Sequence, residues 1–267
     1  MAFPPQRIVC LTEETVETLY LIGEQHRIVG VSGYAVRPPQ VRREKPRVSA
    51  FITADMPRIL ALEPDLVLTF SDLQADIVAG LVRAGVAVHA FNHRTVPGIL
   101  DMIRTLSALV GAPGPGDRLA TDLSRRLATR AGQHPPGCRK PRVYFEEWDE
   151  PMISGIGWVS ELIEIAGGRD VFADLAVHKA AKDRIVSADA VIAAAPDIVI
   201  GSWCGKKFRP EKLAARPGFD RIPAVAGGDV FEIKSTLILQ PGPAALTDGL
   251  DAICGIVDGW RARQAPS

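Results

Sequence analysis

Long apolar runs are missing from this 267-residue chain. No segment reaches the roughly 18 uncharged apolar residues that a membrane span requires, which excludes a helical membrane protein. An excess of one charge is missing as well. With 31 Lys and Arg against 31 Asp and Glu, the chain lacks the cationic surplus of a sequence-blind nucleic-acid binder. Cysteine is sparse. Cys10, Cys138, Cys204 and Cys254 lie far apart without a CxxC pair, which excludes a zinc ribbon and a disulfide framework and fits a reducing compartment. The opening Met1-Ala2-Phe3-Pro4-Pro5-Gln6-Arg7 lacks the charged start and apolar core of a secretory signal, so a cytoplasmic protein is expected from the sequence as written. Aromatic residues are only 6% of the chain, so the location of each of the four Trp carries information.

What is present is enough apolar content, 47%, for one large or two modest cores. Short β-rich runs alternate with helical ones. Arg7–Leu11, Ile28–Ser32, Asp65–Phe70 and Val86–Phe91 read as buried strands. Thr12 is positioned to cap a helix that carries Glu13 and Glu14 in its first turn. The same order restarts at Arg142–Glu146, followed by a helix Trp158–Ala166 stopped by Gly167-Gly168. A short helix Ala188–Ala195 then leads to strands Asp197–Gly201 and Asp229–Ile233, and a terminal helix spans Pro243–Trp260. Near-continuous apolar strands alternating with helices predict an α/β fold with parallel sheets covered on both faces.

An internal repeat divides the chain. Ile59-Leu60-Ala61-Leu62-Glu63-Pro64-Asp65-Leu66-Val67-Leu68 matches Val191-Ile192-Ala193-Ala194-Ala195-Pro196-Asp197-Ile198-Val199-Ile200 at an offset of 132 residues, with four identities. In both copies Pro ends a helix and Asp opens a strand. Three segments follow: an α/β lobe over 1–112, a bridge over 113–140 and a second α/β lobe over 141–267. The bridge contains an Arg-rich helix, Asp117–Gln133, with Leu119, Leu123 and Leu127 at fourfold spacing, ended by His134-Pro135-Pro136-Gly137. At about 25 Å it is long enough to join two Rossmann-like lobes and hold a ligand cleft between them. Overall neutrality conceals a polarity: 6 basic and 2 acidic residues in the bridge, 14 and 18 in the second lobe.

Two α/β lobes, one helical bridge and Pro64-Asp65-Leu66-Val67 matched by Pro196-Asp197-Ile198-Val199 resemble the helical-backbone (class III) substrate-binding proteins of ABC importers, specifically the cobalamin-binding branch related to ferric-siderophore receptors. The resemblance runs from about Arg7 to Trp260. It implies a non-catalytic, monomeric protein that captures a corrinoid, cobalamin or a precursor, as a ligand and uses no intrinsic cofactor. It further implies an ABC-transporter permease as partner, docked through an acidic residue on each lobe, Asp76 on the first and Glu211 on the second. Periplasmic residence is the family default, and an intracellular carrier is the alternative to an importer component. Two other readings stay open: a ferric siderophore or other polar metabolite as ligand, and an enzyme or metallocofactor-handling protein on the same scaffold.

In parallel α/β lobes ligands bind at the carboxyl ends of the strands. That rule selects Tyr34 after the second strand, Ser71 and Asp72 after the third, Glu146 and Trp148 after the first strand of the second lobe, and Trp203 and Cys204 after Asp197–Gly201. Trp158, at a helix start beside these loops, joins the set, with core packing as its other reading. The aromatics suit a large flat ligand, and Ser71, Asp72 and Glu146 suit its peripheral amides. Glu146 and Glu147 face opposite ways in a strand, one toward ligand or a basic partner and the other in a structural pair. Cys204, between Trp203 and Gly205, reads either as a ligand to a metal or to the cobalt of a corrinoid, or as a small buried filler. His89, His93 and His178 lack metal-site spacing, and no metal site is assigned. Gly201–Lys207 lacks the P-loop spacing, while Lys206 and Lys207 are placed to steer a ligand phosphate or carboxylate. Residues 37–47, rich in Arg, read as a solvated loop or a surface for an anionic partner.

Overall fold

The computed structural model describes residues 3–134 and 137–264; Met1 and Ala2, and Pro135 and Pro136 of the expected helix stop, lie outside them. Two compact units emerge, one built from Met1–His93 and Pro97–Ser124, the other from Arg94–Val96 and Arg125–Ser267.

The first unit holds a five-stranded sheet of β1 (Ile8–Cys10), β2 (Ile28–Ser32), β3 (Arg47–Ser49), β4 (Leu66–Phe70) and β5 (Val88–Phe91), in the order β3-β2-β1-β4-β5. Every pairing is parallel. Residues of β1 and β4 are buried throughout, as strands covered on both faces must be. Val9, Leu11, Val48, Ile59, Val67 and Leu81 form one core cluster, each contributing about 1.5–3 kcal/mol by leaving water. Strand order reverses between β1 and β4, which makes their carboxyl ends the switch point where such sheets bind ligands. Three-residue β3 escaped the sequence reading, which treated residues 37–47 as loop; it is too short to show a period, and buried Val41 and Val48 anchor the segment. Thr12 occupies the N-cap position of helix Glu13–Leu21 without a side-chain cap bond; its hydroxyl lies 3.3 Å from that of Thr15.

The second unit is built on β6 (Arg142–Asp149), β7 (Met152–Ser154), β8 (Arg169–Asp170), β9 (Ile198–Gly201) and β10 (Val230–Glu232), with β10-β9-β6-β7 in line and β8 beside the start of β6. β6 pairs in parallel with β8 and β9 and antiparallel with β7. The residues read as a loop insertion, Asp149–Gly157, thus include a hairpin strand. Gly201 ends β9 where a Cβ would sit 2.0 Å from the Phe208 ring, so only glycine lets that ring close over the strand.

Helix Pro113–Ala131 starts four residues before the expected Asp117. Proline in a first turn loses no hydrogen bond, and at Gly116 a Cβ would meet the Ser107 hydroxyl at 1.8 Å, so Pro-Gly-Pro-Gly serves a helix here rather than a linker. Its first part belongs to one unit and its last part to the other. The terminal helix opens with a π-helical turn, Ala245–Gly249, before Leu250–Gln264.

The repeat has a structural meaning that its ten residues alone do not disclose. Glu63 and Ala195, at φ 47° and 42°, turn the chain out of a helix in the left-handed conformation, and proline follows. The aspartate then accepts from the backbone of the unit's first strand: Asp65 from the Arg7 N–H at 2.9 Å, Asp197 from the Arg142 N–H at 2.8 Å. In return the Asp65 and Asp197 N–H groups donate to the carbonyls of Arg7 and Arg142. Each clasp sets one register, Ile8 opposite Leu66 in the first unit and Val143 opposite Ile198 in the second. Asp197 is nearly buried. Burial pushes its carboxyl up, and the hydrogen bonds from Arg142 with the nearby Arg139 charge hold it below the usual carboxylate range. Removing these charge-assisted bonds in Asp197→Ala is expected to cost about 2 kcal/mol, read as a lower urea midpoint; an unchanged midpoint would show that the clasp does not set stability.

Candidate functional site

At the switch point of the first unit, buried Gln74 joins three loops. Its side-chain oxygen accepts from the Phe70 N–H at 3.0 Å, and its amide donates to the carbonyls of Leu11 at 3.2 Å and Phe51 at 2.7 Å. Sequence reasoning passed over Gln74, since a glutamine on an otherwise ordinary helical turn carries no motif. Ser71 beside it adopts φ +65°, donates its N–H to the Phe91 carbonyl at 2.8 Å, and accepts at its hydroxyl from the Leu73 N–H. Ser71 and exposed Asp72 line a pocket of about 590 Å³ with helix Ala75–Arg83 and the end of β5, whose walls include Val78, Val82, Ala90 and Phe91. Asp76 is exposed on the same helix. Tyr34 is 53% exposed. Its N–H donates to the Ser32 hydroxyl, which donates to the Glu13 carboxylate at 2.9 Å. Burial raises the Glu13 pKa, so a glutamate read as a surface helix-start charge is part of the loop support. His89 and His93 sit edge-on to Phe91 and Phe70, with centroids 4.4 and 5.2 Å apart.

In the second unit the corresponding loops carry a network of charges. Glu146 is fully buried within β6, which runs on to Asp149, so Glu146 and Trp148, expected beyond the strand, lie in the strand itself, where pairing with β7 extends it. One carboxylate oxygen accepts from the Trp203 indole at 2.9 Å and Arg216 at 3.0 Å, the other from the Tyr144 hydroxyl at 3.0 Å and Arg216 at 2.5 Å. Every lone pair of this carboxylate is directed at protein. Glu147 pairs with buried Arg184 at 2.6 Å, and that arginine also donates to the Ser154 carbonyl and so ties β7 down. Both glutamates therefore have arginine partners within the unit. Trp203, read as ligand-facing, is 3% exposed and packs edge-on against Phe208 at 4.9 Å, inside the core cluster with Tyr144, Leu213 and Phe219. Trp158, also 3% exposed, donates to the Ile238 carbonyl at 2.8 Å. An indole that covers a core and satisfies its own N–H behaves in this way.

Trp148 is the half-buried aromatic of this end, its N–H donating to the Glu150 carbonyl at 2.9 Å. The Lys206 ammonium lies over its ring at 4.0 Å and over the Trp203 ring at 5.1 Å, within range for cation–π attraction. Asp149, its side chain 1% exposed, binds Lys206 at one oxygen and Lys212 at the other, the latter at 2.8 Å. Cys204 is exposed on the intervening loop, as is Glu211 at the start of helix Pro210–Ala214. The structure thus gathers Glu146, Trp148 and Trp203 with Asp149, Lys206, Lys212 and Arg216, and it sets Trp158 apart. Arg216, 70 residues from Glu146 in sequence, had no signal that a linear reading detects. Among the described residues no helix is long and apolar enough to cross a membrane, and no three His, Cys, Asp or Glu are grouped to hold a metal ion.

In each α/β unit the strand ends are stiffened by buried polar side chains, Gln74 in the first and Glu146 in the second. The sequence pattern of the periplasmic binding protein family matches residues 8–237. The chain belongs to that family. This periplasmic binding protein is 27% identical over 261 residues to a Vitamin B12-binding protein of Vibrio cholerae, across 94% of the chain and 89% of the relative. The crystal structure of the periplasmic vitamin B12 binding protein of Vibrio cholerae superposes with a TM-score of 0.76 at 26% identity, covering 97% of this chain and 99% of that one. A periplasmic heme-binding protein from Roseiflexus superposes at 0.79 and 24% identity, over 94% and 99%, a likeness of fold. The periplasmic binding protein is thereby a ligand-binding protein with the expected α/β architecture, and its Pro-Asp motifs fall on the clasps that set sheet register.

The Asp149 cluster predicts a pH response. Burial alone pushes this carboxyl up, but the ammonium groups of Lys206 and Lys212 hold it down, at about 2. A carboxyl with a folded pKa below its unfolded value adds stability that is complete above about pH 4 and lost as pH falls toward 2. Asp149→Asn is expected to flatten the fall in urea midpoint across that window relative to the parent protein. Parallel curves would remove Asp149 from the acid response.

Proposed function

We propose that this periplasmic binding protein captures a corrinoid, cobalamin or a precursor, without transforming it, and delivers it to the permease of an ABC importer. The single observation that carries the choice of ligand is the likeness, across almost the whole chain, to relatives named for vitamin B12. Chemistry at the strand ends supports it. Trp148 and Tyr34 offer partly or largely exposed aromatic surface, which supplies contact area to a macrocycle at low entropy cost. Ser71 and Asp72 offer polar atoms for peripheral amides. Trp203, Trp158 and Glu146 act behind this surface: the indoles fill the core, and Glu146 fixes Arg216 and Trp203. Cys204 is exposed and placed to touch a ligand at the loop after β9. Asp76 and Glu211, exposed one on each unit, are the acidic contacts proposed for the permease.

Titration with cyanocobalamin and with dicyanocobinamide, followed by calorimetry and by the visible corrin absorption, tests this reading. Saturable heat at one equivalent is expected for at least one of them, weakened about tenfold or more in Trp148→Ala through loss of a buried aromatic contact. Absence of both heat and spectral change with both corrinoids would overturn it.

A further inference from the structure

The loop after β9 and the helix that follows it bring two ammonium groups onto one buried carboxylate. Asp149 needs one ammonium to balance it and has two, from Lys206 and Lys212, whose side chains remain 39% and 54% exposed. Lys207 and Arg209 are exposed on the same stretch. Among the surrounding carboxylates two have arginine partners, while Glu150, next to Asp149 in the chain, and Glu211, next to Lys212, are exposed. Glu146 is held by Arg216 and Glu147 by Arg184. Glu232 accepts from the Phe208 N–H at 3.1 Å, and Glu211 stands exposed on the helix that carries Lys212. The position of the excess matters more than its size. Lys206 lies over one face of the Trp148 ring at 4.0 Å, so a ligand that settles beside this tryptophan meets an ammonium already in place. Buried Asp149 holds both lysines from behind. Little side-chain entropy is then lost when a ligand anion arrives, which is how a preorganised group gains affinity. The surroundings sharpen the contrast, because the second unit as a whole carries more acidic than basic residues.

We propose that Lys206 and Lys212 form an anion-receiving rim at the strand-end site, so that this chain prefers corrinoids with a free carboxylate or phosphate at the periphery over fully amidated ones. The inference rests on corrinoid binding as proposed above and adds the class of corrinoid. Carboxylate and phosphate share the chemistry that an ammonium pair recognises, a localised anionic oxygen within hydrogen-bond reach. The rim acts as a point-charge contact rather than a planar fork, because both groups are lysines.

The test compares three corrinoids under excess cyanide, so that cobalt carries the same two ligands in each: cobinamide, with neither acidic group, cobyric acid, with a free carboxylate, and cobinamide phosphate. The full chain is expected to bind each anionic corrinoid at least tenfold more tightly than cobinamide, with the margin shrinking between low and 0.5 M salt, as a partly exposed charge contact requires (roughly a Debye length of 3 Å at 1 M). In Lys206→Met and Lys212→Met the ratio of anionic-corrinoid to cobinamide affinity is expected to fall severalfold, and Lys206→Arg should retain it. Preference for cobyric acid alone assigns the rim to carboxylates, and preference for cobinamide phosphate alone to phosphates. Equal affinity for all three, or a margin untouched in both Met variants, overturns the rim and leaves corrinoid capture standing. Binding of none of the three overturns corrinoid capture and the rim with it.

Discussion

The aspartate that follows proline in each half of the chain is the constraint on which the architecture rests. A two-residue signal bonds the backbone of a strand more than fifty positions earlier, with separations of 58 residues for Asp65 and 55 for Asp197. One carboxylate and one N–H at the head of the strand fix which residues face each other along the two central strands, and a slip of one position would exchange the faces of every side chain. Central-strand register in turn decides where the carboxyl ends lie, and therefore where Ser71, Gln74, Glu146 and Ser202 stand relative to one another within their own units.

The second unit adds a layer that the first does not have. Tyr144, Glu146, Trp203 and Arg216 form a closed polar set inside an apolar core cluster, and such a set is valuable only when complete, because any unpaired member would be costly. Burial and the neighbouring Glu146 carboxylate raise the Tyr144 pKa well above the ordinary value, so its hydroxyl stays a proton donor to that carboxylate. The first unit reaches a comparable result with one glutamine amide spanning three backbone groups, beside the Ser32–Glu13 hydrogen bond. These two devices do the same work: they hold loops still at the end of a sheet, where backbone hydrogen bonding runs out.

Much of the fold was legible. Ile28–Ser32 matches its strand end to end, and the helices at Glu13, Gly157 and Ala188 fall where cap residues, apolar spacing and glycine stops put them. Failures have physical causes. β3 and β7 lack the continuous apolar run that marks the equally short β1, since Arg47 and Ser49 flank Val48 in one and proline closely precedes the other, and the helix from Pro113 begins with residues whose composition resembles a linker. The candidate site was legible in position but not in orientation. The strand-end rule found the loops, yet whether Trp203 faces solvent or core is decided by Phe208 and by Glu146, contacts that exist only after folding. The charge reading showed the same limit, since one of Glu146 and Glu147 was expected to face a ligand or basic partner and the other a structural pair, and both pair with distant arginines.

The clasps stand at the amino-terminal ends of the strands, and the loops that carry Tyr34, Ser71, Trp148 and Lys206 stand at the carboxyl-terminal ends. Each unit therefore keeps its fastening and its working surface a full strand length apart. In each unit the aspartate clasp shares no hydrogen bond with the strand-end side chains. Changes at the strand-end positions therefore leave the two clasps in place, and their cost to stability is confined to the local pairs they break, such as that of Lys206 with Asp149.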